Sequence, residues 1–321
     1  MTFASYFLVV HEDTRAAHDA GVKYYVMCAG GALLMLPGLL LLGQGLSPAL
    51  LKGALLLCLA GFGVKAGLVP LHSWLPDAHP AAPSSVSGPL SGVITKMGVF
   101  GIVAVLFVQP GALSMPGLMG FSWLGTGLVA LGAATLVYGE IMALYQDDIK
   151  RMLAYSTLGQ IGEITLTLGL GTWLATTGAL WHMLNHAVMK DLLFLGAGAL
   201  ILRAGSRKLT DLRGLGAQMP ITVACMGVGL ISVMGLPPFG AFYSKYLMIQ
   251  AAVSSGHVWL AVLILAGSLV GLIYYTRILK TLVFEERPAH LPTVTEAPRS
   301  IQIALIALAG TSLLLGLAPQ L

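Results

Sequence analysis

Apolar stretches of roughly 18 or more residues recur along the whole chain, and each is long enough for a helix to cross a bilayer. Residues 1–10 (MTFASYFLVV) have the same character but are too short to cross alone. They lack the basic leader and small-residue cleavage site of a signal peptide, so we predict that they are not one. We predict full spans near residues 22–44, 50–69, 85–108, 122–145, 152–170, 174–202, 219–249, 257–280 and 300–318.

The composition agrees with a membrane protein and excludes a soluble enzyme. Hydrophobic residues make up 57% of the chain and charged residues 9%, against about 25% charged in soluble domains. The net charge of +4 is too small to indicate a nucleic-acid partner. The three cysteines lie far apart in apolar runs, so we expect no disulfide, metal or iron–sulfur site. We therefore predict an all-α, polytopic transmembrane bundle that forms one membrane domain over residues 1–321.

The basic residues predict the orientation of the bundle. Connectors near 109–121, 171–173 and 250–256 carry no Lys or Arg, whereas the alternate connectors are basic, and Lys52 is the exception. The positive-inside rule makes the basic side cytoplasmic. Residues 203–217 favour either a short amphipathic surface helix or a polar linker. The basic residues of the alternate connectors are Arg15, Lys23, Lys150, Arg151, Arg203, Arg207, Lys208, Arg213, Arg277, Lys280 and Arg287.

Four lysines lie inside or beside the apolar stretches: Lys65, Lys96, Lys190 and Lys245. A charge at the middle of a membrane costs at least ~2.5–3.5 kcal/mol on insertion scales, and such residues are usually functional. Lysine suits proton transfer because an apolar environment favours its neutral form. For Lys245 the alternative is a side chain that snorkels to the membrane surface.

His182, His186 and Lys190 are spaced i, i+4, i+8, which places them on one face of a helix. Neutral histidine both donates and accepts a proton, so this pattern favours a proton wire. Packing histidines are the alternative. A metal site is disfavoured because no HExxH pattern or third ligand is evident. Three carboxylates lie in or near spans and are candidate lysine partners, with the pairing left open: Glu140, Glu163 and Asp191.

Prolines interrupt two of the lysine-bearing spans. PLHSWLPDAHPAAP, which contains His72 and His79, follows Lys65, and GLPPF (235–239) precedes Lys245. Broken backbone at membrane depth is tolerated where it lines a polar cavity. One interrupted span in each half of the chain indicates an internal repeat.

Several long motifs resemble the antiporter-like proton-translocating membrane subunits of complex I, group 4 hydrogenases and formate hydrogenlyase, and the large subunits of multisubunit sodium/proton antiporters. They occur in the family's order over about residues 5–285. The HPAAPS sequence favours the hydrogenase and antiporter branches of the family. The motifs are KAGLVPLHSWLPDAHPAAPS, SGVITKMGVFGI, ALYQDDIKRMLAYSTLGQIG, HMLNHAVMKDLLFLGAG and GLPPFGAFYSK.

The resemblance implies two inverted five-helix repeats, each with a broken helix, and a hydrated axis at the membrane midplane. The first repeat (1–110) is expected to be incomplete at its amino-terminal side, the second covers 120–285, and 299–321 is a C-terminal span. By motif, Lys65 and Lys245 match the broken-helix lysines. The predicted proton pathway comprises Lys65, His72, Lys96, Glu140, Glu163, His182, His186, Lys190 and Lys245.

The chain departs from the family pattern at three points. It starts inside the helix that carries a glutamate partner for the first lysine, so Lys65 has no visible carboxylate partner. Asp191 stands where a small residue is usual, and Glu163 where an aromatic is common. A separate subunit could supply the glutamate, the start could be truncated, or the usual switch could be absent.

The function expected from this resemblance is a proton-translocating subunit of a redox-driven membrane complex, without a catalytic centre or cofactor of its own. Its expected partners are other membrane subunits, one of which could supply the missing helices, and the lipid bilayer. The expected location is the inner or plasma membrane of a prokaryote. A sodium/proton antiporter module and a non-transporting membrane scaffold are the alternatives.

Overall fold

The computed structural model describes residues 2–42, 44–108 and 111–317, and within these ranges the chain is helical and forms no strand. The predicted all-α bundle is therefore confirmed. The helices are α1 (Thr2–Val9), α2 (Arg15–Leu42), α3 (Pro48–Ala66), α4 (Leu75–Ala81), α5 (Ser84–Pro89), α6 (Thr95–Val108), α7 (Gly111–Ser114), α8 (Trp123–Leu144), α9 (Ile149–Leu168), α10 (Trp173–Ala204), α11 (Pro220–Val233), α12 (Gly240–Ser254), α13 (Val258–Val283) and α14 (Arg299–Leu317).

Short polar residues begin several of these helices. Ser122 and Thr172 accept backbone N–H groups at the starts of α8 and α10, and Asp148 accepts the amides of Lys150 and Arg151 at the start of α9. These caps satisfy amides that have no partner inside the helix. Gly67 and Gly205 end α3 and α10 with φ of 81° and 70°, a conformation that glycine adopts without steric cost.

Six described helical segments are long and apolar enough to cross a bilayer, so the chain is a multi-pass membrane protein. Three of the nine predicted spans are not among these six segments. Spans 152–170, 174–202 and 219–249 correspond to α9, α10 and the pair α11–α12. The first two carry many polar residues, and the last two are short. The six segments are α2, α3, Ser84–Val105, α8, α13 and α14.

Helix α9 lies in the interior, which explains how it can be polar. Every residue of α9 except Arg151 is buried. Helix α8 packs closely against it, because Cβ atoms at Gly132, Gly139 or Gly162 would overlap the backbone of the facing helix. In contrast, α14 buries only Leu305 and Ser312, as expected for a helix that faces lipid.

One span changes its packing partner along its length. Helix α5 continues through a π-helical segment, Leu90–Ile94, directly into α6. In the first part, Gly88 lies against Asp191 of α10, and in the second part Gly98 lies against the backbone of α3. The absence of a side chain at both glycines allows this close approach.

Both predicted interruptions are present. After α3, the chain turns at Gly67 and resumes as the short helix α4. Between α11 and α12, Gly235 has a φ of 78°, and a Cβ at this position would lie 2.8 Å from Cδ of Lys245. The second break therefore makes room for the stem of a lysine. The division into two repeats stays a prediction.

Residues 203–217 form neither of the expected structures. After α10 ends at Ala204, the segment contains two 3₁₀ turns, Leu209–Leu212 and Leu215–Ala217, that bury Leu209, Leu212 and Leu215. Together they lie at 113° to α11. Gly205 and Gly214, both with positive φ, separate the turns from α10 and from each other, so a continuous helix cannot form.

The basic connectors meet at one end of the bundle, which we call the basic face. Asp77 is 2.7 Å from Lys23 and 3.6 Å from Arg151, and Arg207 is 3.1 Å from Asp148. The predicted clustering of the basic connectors on one side is thus observed in the fold. Further contacts there are Arg213–Glu285, Arg203 with the Glu296 carbonyl, and Arg287 with the carbonyls of Asp211 and Arg213.

A glutamate from the connector before α14 caps α11 on this face. Glu296 accepts the amides of Ile221 (2.8 Å) and Thr222 (3.4 Å), the Thr222 hydroxyl and the Ala297 amide. Burial alone would raise the pKa of Glu296, but these hydrogen bonds outweigh burial and hold its pKa below the usual value.

We predict that Glu296→Gln destabilises the protein at neutral pH by about 1 kcal/mol, the typical worth of a helix cap. Because the folded-state pKa is depressed, this stability is present above the unfolded pKa and is lost as pH falls through the folded value. Thermal unfolding at pH 7 and under acidic conditions measures it. An equal difference between wild type and variant at every pH would contradict the charge-based cap.

Candidate functional site

The structure places three of the four predicted lysines inside the bundle. Lys96, Lys190 and Lys245 are 7%, 0% and 5% exposed, whereas Lys65 is half-buried. The snorkelling alternative for Lys245 is wrong. Its Nζ points inward, 3.0 Å from Oε1 of Glu163 and 2.7 Å from the hydroxyl of Ser268. A buried ammonium requires such a partner, because isolated charge in an apolar interior is strongly disfavoured.

Five buried ionisable side chains from four helices form a polar row: Lys96, His186, His182, Glu163 and Lys245. Lys96 hydrogen-bonds to Nδ1 of His186, and the ring centroids of His186 and His182 are 6.4 Å apart. Nε2 of His182 is 3.8 Å from Oε2 of Glu163, and Glu163 pairs with Lys245. The row therefore runs from α6 across α10 and α9 to α12.

Uncharged polar groups support His182 on both sides. Its Nδ1 lies 2.9 Å from the Ser244 hydroxyl, and its Nε2 lies 3.0 Å from Oε1 of Gln160. Both neighbours are buried. With a partner at each nitrogen, the ring can exchange the roles of donor and acceptor, which a proton relay requires.

Lys190 lies on a second branch. Its ammonium bonds to α9, at the Ser156 hydroxyl and the Leu153 carbonyl (3.1 Å), and lies 6.0 Å from the Tyr275 ring. The predicted face of α10 is fully buried, but its side chains turn to different neighbours. His186 bonds to α6 and Lys190 to α9, with no direct bond between them among the described contacts.

The three candidate carboxylates contact different parts of the bundle. Glu163 pairs with Lys245, while buried Glu140 accepts a 2.9 Å hydrogen bond from Tyr274, whose ring packs on Tyr275. Tyr274 and Tyr275 therefore lie between Glu140 and Lys190. Asp191, the next residue after Lys190, lies on a different side of α10, against Gly88, and forms no ion pair among the described residues.

Lys65 and His72 lie outside the polar row. Lys65 donates to the Thr2 hydroxyl (2.9 Å), and its Nζ lies 5.6 Å from the Tyr24 ring centroid. Within the described ranges no carboxylate lies within 4 Å of it. His72 packs edge-on against Tyr138, with centroids 4.5 Å apart. No described hydrogen bond joins either residue to the row.

Several residues that complete the site were not predicted, although one sequence signal was present. Ser156, Gln160 and Glu163 are spaced i, i+4, i+7 on α9, which is one face of a helix, and that face contacts both Lys190 and the polar row. Ser244, Ser268 and the two tyrosines gave no comparable pattern. Among the described residues, no cluster of three or more His, Cys, Asp or Glu could hold a metal ion.

The comparisons with known proteins agree with this arrangement. Residues 1–271 match the transmembrane family of NADH:quinone oxidoreductase and Mrp antiporter subunits. The chain belongs to this family. It is similar to hydrogenase-4 component B of Escherichia coli, at 33% identity over 99% of this chain and 52% of that protein. It is also similar to NADH-quinone oxidoreductase subunit N of Deinococcus radiodurans, at 35% identity over the whole chain and 67% of that protein.

Solved structures of the antiporter-like family share the fold. A chain of the membrane-bound sulfane sulfur reductase, an archaeal respiratory complex, has a TM-score of 0.87 and 31% identity over 99% of this chain and 66% of its own length. A chain of the Mrp complex from Dietzia has a TM-score of 0.85 at 22% identity, over 96% and 66%, and this likeness shows the fold alone. The chain spans about half to two thirds of the length of these relatives.

We predict that Glu163→Gln destabilises the protein by about 3–5 kcal/mol, because it leaves the Lys245 ammonium buried without its counter-ion. The double variant Glu163→Gln/Lys245→Met removes both charges and should regain most of the loss. Thermal unfolding in detergent measures all three variants. Additive losses in the double variant would show that the two side chains do not act as a pair.

Proposed function

We propose that the chain is a proton-translocating, antiporter-like subunit of a membrane-bound, redox-driven complex. The observation that carries the proposal is the polar row, which places alternating donors and acceptors through the bundle interior. Charged side chains at membrane depth are costly and mark ion pathways. The redox assignment is supported by relatives named as hydrogenase and NADH-quinone oxidoreductase components.

The contacts around Glu163 supply a means of coupling. One carboxylate oxygen is 3.0 Å from Lys245 and the other is 3.8 Å from His182. A proton that arrives on His182 places a second positive charge beside the same carboxylate. This charge weakens the attraction that holds the proton on Lys245, since electrostatic interactions are strong in an apolar interior. Uptake at one end of the row then favours release at the other.

The side chains of the row favour protons over sodium. The row contains two lysines and two histidines, with Glu163 as its one carboxylate. Metal cations such as Na⁺ are bound by sets of oxygen ligands, whereas amines and imidazoles bind protons. A sodium/proton antiporter module remains the second candidate, because the fold is shared with the Mrp complex.

The proposed setting is the plasma membrane of a prokaryote, with the basic face in the cytoplasm and other membrane subunits alongside. The bacterial and archaeal relatives and the positive-inside rule support it. In this proposal, the chain holds no redox cofactor, and electron transfer belongs to its partners. Purification through a tag on this chain, with partners identified by mass, tests this. Iron–sulfur, nickel or flavin proteins among them are expected.

We predict that Lys190→Ala and Lys65→Ala slow proton flux through the purified complex in liposomes, whereas Lys280→Ala, an exposed control, does not. The expected loss is about tenfold or more, since positioned proton-transfer groups typically contribute ~10²–10⁴-fold. A pH-sensitive dye inside the vesicles measures the flux. Identical flux in all variants supports a scaffold role, and flux that requires Na⁺ supports the antiporter module.

We also propose that a neighbouring subunit supplies the carboxylate partner of Lys65. A cavity of about 200 Å³ borders Lys65 and is lined by Thr2, Ala32, Met35 and Met97, among others. Ala32 is exposed on the bundle surface, so a side chain from outside can reach this cavity. A carboxylate there would neutralise the half-buried ammonium, which now contacts only a hydroxyl and a ring in the described part of the chain.

We predict that Ala32→Cys, labelled with a benzophenone maleimide, cross-links to a partner subunit in native membranes on irradiation, because the photoactivated label inserts into C–H bonds and needs no second cysteine. Leu314→Cys with the same label is the matched control, since Leu314 is 62% exposed on α14. Mass spectrometry of the cross-linked peptide identifies the facing segment. A facing segment without Asp or Glu would contradict the proposed origin of the carboxylate.

A further inference from the structure

Lys96 is a buried lysine without a carboxylate in direct contact. Its Nζ donates a 2.7 Å hydrogen bond to the Ser91 carbonyl and hydrogen-bonds to Nδ1 of His186. Among the described residues, no carboxylate lies within 4 Å of it. A buried ammonium is strongly disfavoured unless a negative charge compensates it. Lys96 therefore needs a counter-charge from beyond its hydrogen-bonding partners.

Asp191 of α10 is a carboxylate that lacks a partner. Its Oδ1 is buried without a hydrogen bond among the described residues. Cβ atoms built at Gly88 and Gly92 would lie 2.7 Å and 3.1 Å from this oxygen. The two glycines are one helical turn apart on the span that continues to Lys96, and neither has a side chain that could bind the carboxylate. A buried polar atom in this state calls for an explanation.

The ammonium and the carboxylate approach the same short stretch of backbone. Lys96 binds the carbonyl of Ser91, and Asp191 lies against Gly92, the next residue along the chain. Because Gly92 has no Cβ, it places no side chain between the two groups. A groove of about 370 Å³ between this span and α10 is lined by Gly92, Lys96 and Ala187, among others. The ammonium therefore has room to move toward Asp191.

The electrostatic surroundings of Lys96 single out Asp191. Among the described groups that interact with Lys96, Asp191 is the one carboxylate, and Lys96 is in turn the charged group that acts on Asp191. A proton on Lys96 is repelled by the other groups when they are charged, so Asp191 supplies the attraction that opposes them. The other titratable side chains that interact with Lys96 are all bases: His79, His182, His186 and Lys190.

The three buried lysines each have a carboxylate on another helix. Lys245 pairs directly with Glu163, and Glu140 acts on Lys190 from α8, across the two tyrosines. Asp191 follows Lys190 in the sequence but is not among the groups that act on it. The three carboxylates therefore serve three different lysines.

We propose that Asp191 is the counter-ion of protonated Lys96 and sets how firmly this end of the polar row holds its proton. Asp191 is a positioning residue, since it acts through Lys96 and does not carry the proton. When the ammonium gives its proton to Nδ1 of His186, the lysine becomes a neutral amine, the carboxylate stays ionised, and no electron is transferred. This inference rests on the proposed function and adds to it the residue that controls proton affinity at the Lys96 end.

The first test separates the charge of Asp191 from its shape. Asp191→Asn removes the charge and nearly keeps the shape, whereas Asp191→Glu keeps the charge. Both are measured as proton flux through the purified complex in liposomes, over a range of pH. Asp147→Asn is the matched control, because Asp147 is an exposed aspartate, and Lys96→Ala is run in parallel.

We expect Asp191→Asn to move the high-pH limb of the flux profile to lower pH by about one pH unit, the order of effect of one charge inside a protein. The sign follows because Lys96 holds its proton less firmly without the negative charge. Asp191→Glu should restore the wild-type profile, and Asp147→Asn should leave it unchanged. A purely structural role of Asp191 would lower the flux at every pH without moving this limb.

The outcomes distinguish this inference from the proposed function. An unshifted profile in a folded Asp191→Asn, beside slow flux in Lys96→Ala, would overturn the role of Asp191 and leave the proposed function intact. Absence of flux in the wild-type protein would instead overturn the proposed function.

Thermal unfolding in detergent tests the pairing without transport. Near neutral pH, Asp191→Asn should lower the melting temperature of the wild-type protein, because it leaves the Lys96 ammonium without its counter-ion. In a Lys96→Met background the same change should not lower the melting temperature, since no ammonium remains to be compensated. Equal decreases in the two backgrounds would show that Asp191 does not act on Lys96.

Discussion

The ion pair between Lys245 and Glu163 is the contact on which the interior of this bundle depends. Charge inside a bilayer is tolerated only where protein groups replace water around it. Here the replacement comes from α9, whose carboxylate, amide and hydroxyl groups all lie inside the bundle and serve lysines and histidines on α10 and α12. The polar character of α9 follows from that task, and so does its central position behind apolar helices that face lipid.

Much of this architecture could be predicted from local sequence patterns. Hydropathy located most of the long helices to within a few residues, although α2 begins seven residues before its predicted span and the span 219–249 is two helices. The prolines marked the two interruptions, because a proline limits the backbone of its own segment. The basic connectors likewise gather on one face, where Asp77 and Asp148 bind Lys23, Arg151 and Arg207. The clustering could be predicted from charge counted along the chain, without knowledge of the packing.

The partners of the buried charges could not be predicted in the same way. Spacing along α10 places His182, His186 and Lys190 on one face, but which helix each meets depends on crossing geometry. His186 turns to α6 and Lys190 to α9. The choice of Glu163 over Glu140 or Asp191 as the partner of Lys245 has the same origin. The segment 203–217 was also misjudged, because two glycines with positive φ divided a stretch whose composition suited a helix.

The π-helical segment at Leu90–Ile94 has a consequence for Lys96. One additional residue in a helical turn rotates everything that follows by about 100° around the axis. The span can therefore present Gly88 to α10 in its first part, Gly98 to α3 in its second, and still aim Lys96 at His186. In a regular α-helix of the same sequence, the residues after this turn would face about 100° away from their present direction. Because of the π-helical turn, one continuous span packs both against α3, which carries Lys65, and against α10, which carries the histidines.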